Sequence, residues 1–280
     1  MNYFKKIFSK YEHRGIAYLL HYFLKKIGLK TRYSSFIHKK KSYLDNKIFD
    51  LTNGIVKTGL YKSLKLSKDQ NWKNLIDCDL SPKLLGIYEE QVQNKIVQLK
   101  QDYNLKYLVN FGSGEGYHAI GLLKNNYFEK CICFEIDKNT RDILIKNSKL
   151  NNVEDKIKIF NEANFNLVLK ELNNDQLKNT LFLVDIEGHE FSLYNKDNLN
   201  FIKRSFHLIE NHEDYFRDKK KVSEFYKIMN NNFFCEKLKN TGRNPFNYDE
   251  IKFLPDDERW LMMSEGRPCE MNWLVFRPNI

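Results

Sequence analysis

Two groups of residues in this chain have types and spacings suited to chemistry. The first is the turn Gly112-Ser113-Gly114-Glu115-Gly116, which ends the apolar run Tyr107-Leu108-Val109-Asn110-Phe111. Glycine permits positive φ and lets a ligand approach the backbone where a Cβ would block it. The second group closes two later apolar runs. Asp185, Glu187 and Glu190 follow Leu181-Phe182-Leu183-Val184, and Glu210, Asn211 and His212 follow Leu208-Ile209. Carboxylates and an imidazole at strand ends are groups that exchange protons with a bound molecule. Between the two groups, Glu135 closes the run Cys131-Ile132-Cys133-Phe134, nineteen residues after Gly116. A carboxylate at that place can accept both hydrogen bonds of a ribose diol, with Asp137 close by as the fallback.

Residues in these roles must sit where strands end, and the pattern supplies such strands. Strands are expected at 107–111, 130–135, 157–160, 180–184 and 205–209. Helices are expected at about 117–125, 138–151, 164–172 and 218–230, with a short helical turn from His189. This alternation describes an α/β domain, a mainly parallel sheet with helices on both faces. Segments 232–238 and 271–277 have no good helix between them and are expected to pair antiparallel. Upstream, Ser81-Pro82 reads as cap and first position of a helix running through Tyr88, Glu89 and Val92 to about Lys100. Ile16, Leu19, Leu20, Phe23, Leu24 and Ile27 form a stripe of helical spacing. Residues 34–75 read as irregular, with a short hairpin around 54–66. The chain thus divides into a basic, mostly helical extension or cap over residues 1–100 and a ligand-binding domain over 101–280.

The glycines are spaced G-x-G-x-G. A hydride-transferring dinucleotide fold needs G-x-G-x-x-G, whose third glycine would fall on Tyr117. The spacing is instead similar to the first motif of class I S-adenosylmethionine-dependent methyltransferases. Asp185-Ile186-Glu187-Gly188-His189-Glu190 and Leu208-Ile209-Glu210-Asn211-His212 resemble the FkbM-like branch of that family, which is associated with surface-polysaccharide genes. Gly59-Leu60-Tyr61-Lys62, Leu85-Gly86-Ile87-Tyr88-Glu89, Ser264-Glu265-Gly266-Arg267-Pro268 and Asn272-Trp273-Leu274 have a similar look. The resemblance implies a Rossmann-like methyltransferase fold whose seven-stranded sheet has six parallel strands and one antiparallel. It implies S-adenosylmethionine as cofactor and a hydroxyl of a sugar or glycan precursor as acceptor, in surface polysaccharide biosynthesis. It further implies cofactor contacts from Asn110, Gly112, Gly114, Gly116, Glu135 and Asp185, with Asn161 and Glu162 at the edge that frames the adenine. Asn110 departs from the family pattern. Many class I enzymes carry Asp there, and asparagine brings no charge toward a sulfonium.

Transfer from a sulfonium is an in-line displacement, so such an enzyme must align the acceptor and remove its proton. Asp185, Glu210 and His212 are then the candidate catalytic groups, and histidine, titrating near neutral pH, is the natural base. In a second arrangement, Asp185 and the Glu210-Asn211 pair hold a divalent metal that lowers the acceptor's pKa. Glu187 and Glu190 are expected to stabilise their turn and Gly188 to let it form. Two rival readings use the same fold: a methyltransferase of RNA or another nucleic acid, and a non-catalytic docking protein. Nucleic acid is disfavoured, because base-methylating enzymes show Asn/Asp-Pro-Pro-aromatic where this chain has Asp185-Ile186-Glu187-Gly188.

The net charge of +10 is uneven. Residues 1–70 hold sixteen Lys/Arg against four Asp/Glu, so the positive excess belongs to the extension. Such a segment suits phosphates or an anionic membrane surface. The five cysteines show no metal-ligand spacing, and their odd number suits a reducing compartment. No apolar run reaches the roughly 18 residues of a membrane span, and Met1–Tyr11 lacks the apolar core of a signal peptide. The expectation is a cytoplasmic protein whose extension touches the inner face of the membrane. The helix with Tyr88 and Glu89 is a candidate wall for a glycan acceptor, and so is the insertion 241–268 with Arg243, Arg259, Trp260 and Arg267.

Overall fold

The computed structural model describes residues 36–68, 79–214, 216–267 and 271–279. The stripe at 16–27, Cys78 and Cys269 lie outside the described residues. The strands are β1 (Tyr107–Phe111), β2 (Lys130–Phe134), β3 (Ile157–Phe160), β4 (Thr180–Val184), β5 (Phe206–Glu210), β6 (Phe233–Leu238) and β7 (Trp273–Pro278). They form one sheet in the order β3-β2-β1-β4-β5-β7-β6. The first five pair in parallel, and β7 runs antiparallel to both β5 and β6. Six strands therefore point one way and β7 the other, the arrangement expected from the sequence. The order of the strands reverses between β1 and β4, the kind of crevice where open α/β sheets bind ligands.

The helices are α1 (Phe36–Thr52), α2 (Leu80–Leu85), α3 (Glu90–Tyr103), α4 (Tyr117–Lys124), α5 (Lys138–Leu150), α6 (Phe165–Glu171), α7 (Asn174–Lys178), α8 (Glu190–Leu193), α9 (Leu199–Ile202), α10 (Lys219–Asn232) and α11 (Asp256–Met263). They cover both faces of the sheet, which explains the uninterrupted apolar strands. On one face, Leu108, Cys131, Cys133, Leu181, Leu183 and Leu208 join a cluster with residues of α1 to α5 and α11. On the other, Val109, Ile132, Phe134, Phe182 and Ile209 join residues of α6 to α10. Each such Val, Leu, Ile or Phe side chain contributes about 1.5–3 kcal/mol by leaving water. Residues 44–66 and 80–105 thus share the core of the sheet, packed through Leu44, Ile48, Tyr61, Leu84 and Val92. No helix among the described residues is long and apolar enough to cross a membrane.

The segment expected as one helix from Ser81 is two. Gly86 adopts φ +86° and closes α2, Glu89 adopts φ +49°, and α3 starts at Glu90. Gly86 is held against the turn at Thr58, where a Cβ would lie 2.0 Å from the Thr58 carbonyl oxygen. Nor does Ser81 cap the helix. Its backbone N–H donates to Asp45 at 2.9 Å, and its hydroxyl donates to the same carboxylate. The hairpin expected at 54–66 is reduced to a single antiparallel bridge between Ile55 and Lys65.

One buried polar group adds to the acid sensitivity of the fold. His207 of β5 is fully buried and stacks on Phe182 with ring centroids 5.0 Å apart. Its Nε2–H donates to the Ile202 carbonyl at 2.9 Å, which leaves Nδ1 to accept from the Tyr194 hydroxyl at 3.0 Å. Burial pushes its pKa down to about 4 from an ordinary 6.5. The unfolded chain takes up a proton below pH 6.5 that the folded chain refuses until about pH 4, so stability falls as pH falls through that window. Urea denaturation at pH 7 and pH 5 is expected to show about 2 kcal/mol lost from this group. His207→Gln, which cannot titrate, should lose that much less between the two pH values.

Candidate functional site

A cavity of about 870 Å3 opens at the carboxyl ends of β1, β2 and β4. Gly112, Gly114, Glu135, Asn161, Glu162 and Asp185 all line it. The turn after β1 is pinned to β2. The amides of Gly112 and Ser113 both donate to the Phe134 carbonyl at 2.9 Å, and the Ser113 hydroxyl accepts from the Phe134 amide at 3.1 Å. The glycines of the turn serve different needs. Gly112, at φ +75°, passes so close to β4 that a Cβ would lie 1.6 Å from the Asp185 carbonyl oxygen. A Cβ on Gly114, at φ +52°, would meet nothing within 4 Å, so this glycine leaves its backbone open toward the cavity. Gly116 packs on α5, where a Cβ would meet Leu144 at 2.3 Å, and is not among the residues lining the cavity.

Glu135 is fixed before any ligand arrives. Its Oε2 accepts from the Gly114 amide at 3.0 Å and its Oε1 from the Asp137 amide at 2.9 Å. Asp137 itself caps α5, accepting from the Thr140 amide at 2.8 Å, so the fallback residue is a helix cap. Arg141 donates to the carbonyls of Glu135 and Ile136 at 2.7 and 2.8 Å and locks the loop.

Behind the cavity, the ends of β4 and β5 bring Asp185, Glu187, Glu190, Glu210 and His212 together. Glu190 is 1% exposed; it accepts from Nδ1 of His212 at 3.0 Å and from the Gly188 amide at 2.9 Å. Nε2 of His212 faces Glu210 at 3.4 Å, Asp185 at 3.5 Å and Glu187 at 3.7 Å. Burial works against a charge on this ring, but the hydrogen bonds of Glu190 and Glu210 outweigh it and push its pKa up to about 11. His212 is therefore an imidazolium, and a neutral imidazole base is not what the fold builds. Burial raises Glu210, yet His212 and Arg267 hold it down to about 2. Burial and the adjacent Glu210 push Asp185 well above the usual carboxylate range. Two carboxylates side by side do not both ionise easily, and of the pair it is Asp185 whose proton affinity rises. Asp185 Oδ1 has no hydrogen-bond partner among the described residues.

A second ionic layer ties this cluster to the segments upstream of β1. The Arg267 guanidinium bridges Glu210 and Glu89 and donates from Nε to Glu265 at 2.8 Å. Glu265 also accepts from the Glu89 amide at 2.7 Å and pairs with Arg243. Glu89 in turn meets His118 Nε2 at 2.8 Å, and His118 Nδ1 meets the Tyr61 hydroxyl at 3.0 Å.

Not every residue expected at the site reaches the cavity. Asn110 is 3% exposed and donates from its side chain to the Leu183 carbonyl at 3.2 Å, clamping β1 to β4. Asn110, Glu210 and His212 are absent from the cavity lining. The metal arrangement also changes. Asn211 accepts from the Glu213 amide at 3.1 Å and donates to Asn272 at 3.4 Å, so its side chain is engaged elsewhere. The donor atoms that converge to within 4.8 Å of one another belong to Asp185, Glu187 and His212. Sequence reasoning missed Asp79, Lys83 and Glu115, which line the cavity. Arg267 was legible only as a basic residue of the insertion.

No protein-family profile matches the chain, and no curated protein sequence matches it. Solved structures do resemble it in chain path. A Klebsiella pneumoniae protein provisionally designated an O-methyltransferase aligns with TM-score 0.47 and 11% identity, over 93% of this chain and 96% of that one. Cofactor-bound Rv0187 from MTB aligns with TM-score 0.45 and 9% identity, over 84% and 90%. The B. subtilis tRNA methyltransferase TrmK aligns with TM-score 0.43 and 7% identity, over 66% and 64%.

The geometry sets the outcome of three substitutions. Gly112→Ala should fail to give folded protein, because its Cβ has backbone to meet. Gly114→Ala should fold with a loss of about 1–2 kcal/mol from its left-handed backbone alone, measured by thermal denaturation. Arg267→Met removes the cation shared by Glu89, Glu210 and Glu265 and should cost about 3–5 kcal/mol in urea denaturation at neutral pH.

Proposed function

We propose that the protein is an S-adenosylmethionine-dependent O-methyltransferase of the FkbM-like kind, acting on a hydroxyl of a sugar or glycan precursor. The observation that carries the cofactor half is Glu135, a carboxylate at the end of β2, anchored on the Gly114 amide and lining a cavity large enough for a nucleoside. Gly114 supports it, since the space its Cβ would take is open. Glu135 would hold the ribose, Asn161 and Glu162 the base, and the Gly112–Gly114 backbone the part between them and Asp185. Bound there, S-adenosylmethionine supplies a methyl group on a sulfonium that an oxygen nucleophile attacks in line.

Asp185 is the group that receives the acceptor's proton. It lines the cavity together with Glu187, and unlike the exposed Glu187 it is partly buried against His212 and Glu210. As the oxygen–methyl bond forms and the carbon–sulfur bond breaks, the hydroxyl proton passes to the Asp185 carboxylate. Its raised pKa makes the ionised form a stronger base. His212 and Glu210 are positioning residues here. The imidazolium holds both carboxylates from behind, and Arg267 holds Glu210 from the other side. A divalent cation would displace the Nε2 proton of His212 and find its ligands in that nitrogen, Asp185 and Glu187, with Glu190 on Nδ1 orienting the ring, and would supply positive charge at the acceptor oxygen.

The acceptor class rests on the motif resemblance, and the basic segment 1–70 suits attachment at an anionic membrane face where glycan precursors are assembled. The cofactor half is tested by calorimetric titration with S-adenosylhomocysteine, the demethylated product. Saturable binding is expected, and no heat with either this compound or S-adenosylmethionine ends the reading. With a glycan acceptor in hand, Asp185→Asn should bind S-adenosylhomocysteine as the wild type does and lose about 100- to 10,000-fold in methyl transfer.

A further inference from the structure

One wall of the cavity carries charge that the proposed chemistry does not use. Asp79, just before α2, and Lys83, within it, stand four residues apart, and both line the cavity together with Tyr88 and Glu115. The Lys83 ammonium lies 2.7 Å from Asp79 Oδ2 and 2.5 Å from Glu115 Oε1. It also sits 4.7 Å from the centre of the Tyr88 ring. The Lys83 side chain is only 6% exposed. Asp79 Oδ1 has no hydrogen-bond partner among the described residues. Burying an ammonium and two carboxylates is unfavourable, and an apolar wall of the same shape would be no less stable.

Tyr117 shows that the placement is held rather than incidental. Its hydroxyl donates to the Lys83 carbonyl at 3.2 Å, and its ring packs edge-on against Tyr88 and Tyr61 at 5.6 and 5.1 Å. Glu115 directly follows Gly114, so the charged wall adjoins the turn whose amide holds Glu135.

The signs present select the ligand. A phosphate would meet two carboxylates, and a simple cation would meet the ammonium. A zwitterion satisfies both, with an anionic group on Lys83 and a cationic group on Asp79 and Glu115. We infer that Lys83, Asp79 and Glu115 recognise the α-amino-acid end of the adenosyl cofactor, Lys83 taking the carboxylate and the two acids the ammonium. The inference rests on the cofactor reading above. It adds which side chains of this chain hold that end of the ligand.

The test compares two neutral thioethers that share the adenosine. S-Adenosylhomocysteine has the amino-acid tail, and 5′-methylthioadenosine has a methyl in its place. Titration calorimetry on the full chain is expected to show wild type binding the first more tightly. Lys83→Met should weaken S-adenosylhomocysteine about 10- to 100-fold and leave 5′-methylthioadenosine within about twofold. Asp79→Asn, which keeps the shape of the wall, should weaken the same ligand selectively and serves if Lys83→Met does not fold. Equal losses for both ligands in either variant, or unchanged affinity for the tailed ligand, would overturn the inference while leaving the cofactor reading in place. A wild type that binds neither ligand removes both.

Discussion

The site depends on one close approach, between the backbone of Gly112 and the carbonyl of Asp185. β1 and β4 pair in parallel with Phe111 opposite Val184, so the chain leaves both strands at one level. The Asp185 amide still donates to the Phe111 carbonyl at 2.9 Å, and no side chain fits at residue 112. That approach sets the glycine turn and the acidic turn side by side. A ligand cradled by the first is thereby presented to the carboxylate of the second. The same residue type is used beside it for other reasons, an open backbone at Gly114 and helix packing at Gly116.

Around this contact the electrostatics are ordered by burial and pairing. Glu210 is ionised because Arg267 holds one oxygen and His212 faces the other. Asp185, beside it, has its pKa raised in consequence. His212 is charged because Glu190, itself buried, accepts from Nδ1 while carboxylates surround Nε2. Arg267 carries the arrangement outward to Glu89 and Glu265, so the segments before β1 and the strap before β7 share a single ionic layer. Glu89 is left in a left-handed conformation by that arrangement. A non-glycine residue there costs on the order of 1 kcal/mol, which the hydrogen bond from its amide to Glu265 helps offset.

The central strands β1, β2, β4 and β5 were legible because each is buried on both faces and reads as a short apolar run. β1, β3 and β4 begin and end where the sequence places them. Glu135 was legible from its place at the end of such a run. The break between α2 and α3 was not. Leu84, Leu85, Tyr88 and Val92 keep helical spacing, and the interruption comes from Thr58 pressing on Gly86, a contact between residues far apart in sequence. Lys83 was illegible for a different reason. An acid four residues before a lysine ordinarily describes a solvated helix face, and only the packing of Tyr117 and Tyr88 turns it into a cavity wall. The identity of His212 was visible but its charge was not, because the Glu190 carboxylate that fixes it lies 22 residues away.

The charges lining the cavity bear on the sign of the ligand it suits. Asp79, Glu115, Glu135, Glu162, Asp185 and Glu187 contribute six carboxyl groups against the single ammonium of Lys83. Even with a proton on Asp185, the lining favours a cation, and its low-dielectric walls focus that preference. An adenosyl sulfonium with a zwitterionic tail carries one net positive charge, whereas the thioether left after transfer carries none. On the proposed reading, the cavity would therefore hold the donor more tightly than the product for reasons unrelated to shape, since the two differ by one methyl group. A proton gained by Asp185 would act in the same direction, removing a negative charge from the lining as the ligand loses its positive one, so that neither is left unpaired.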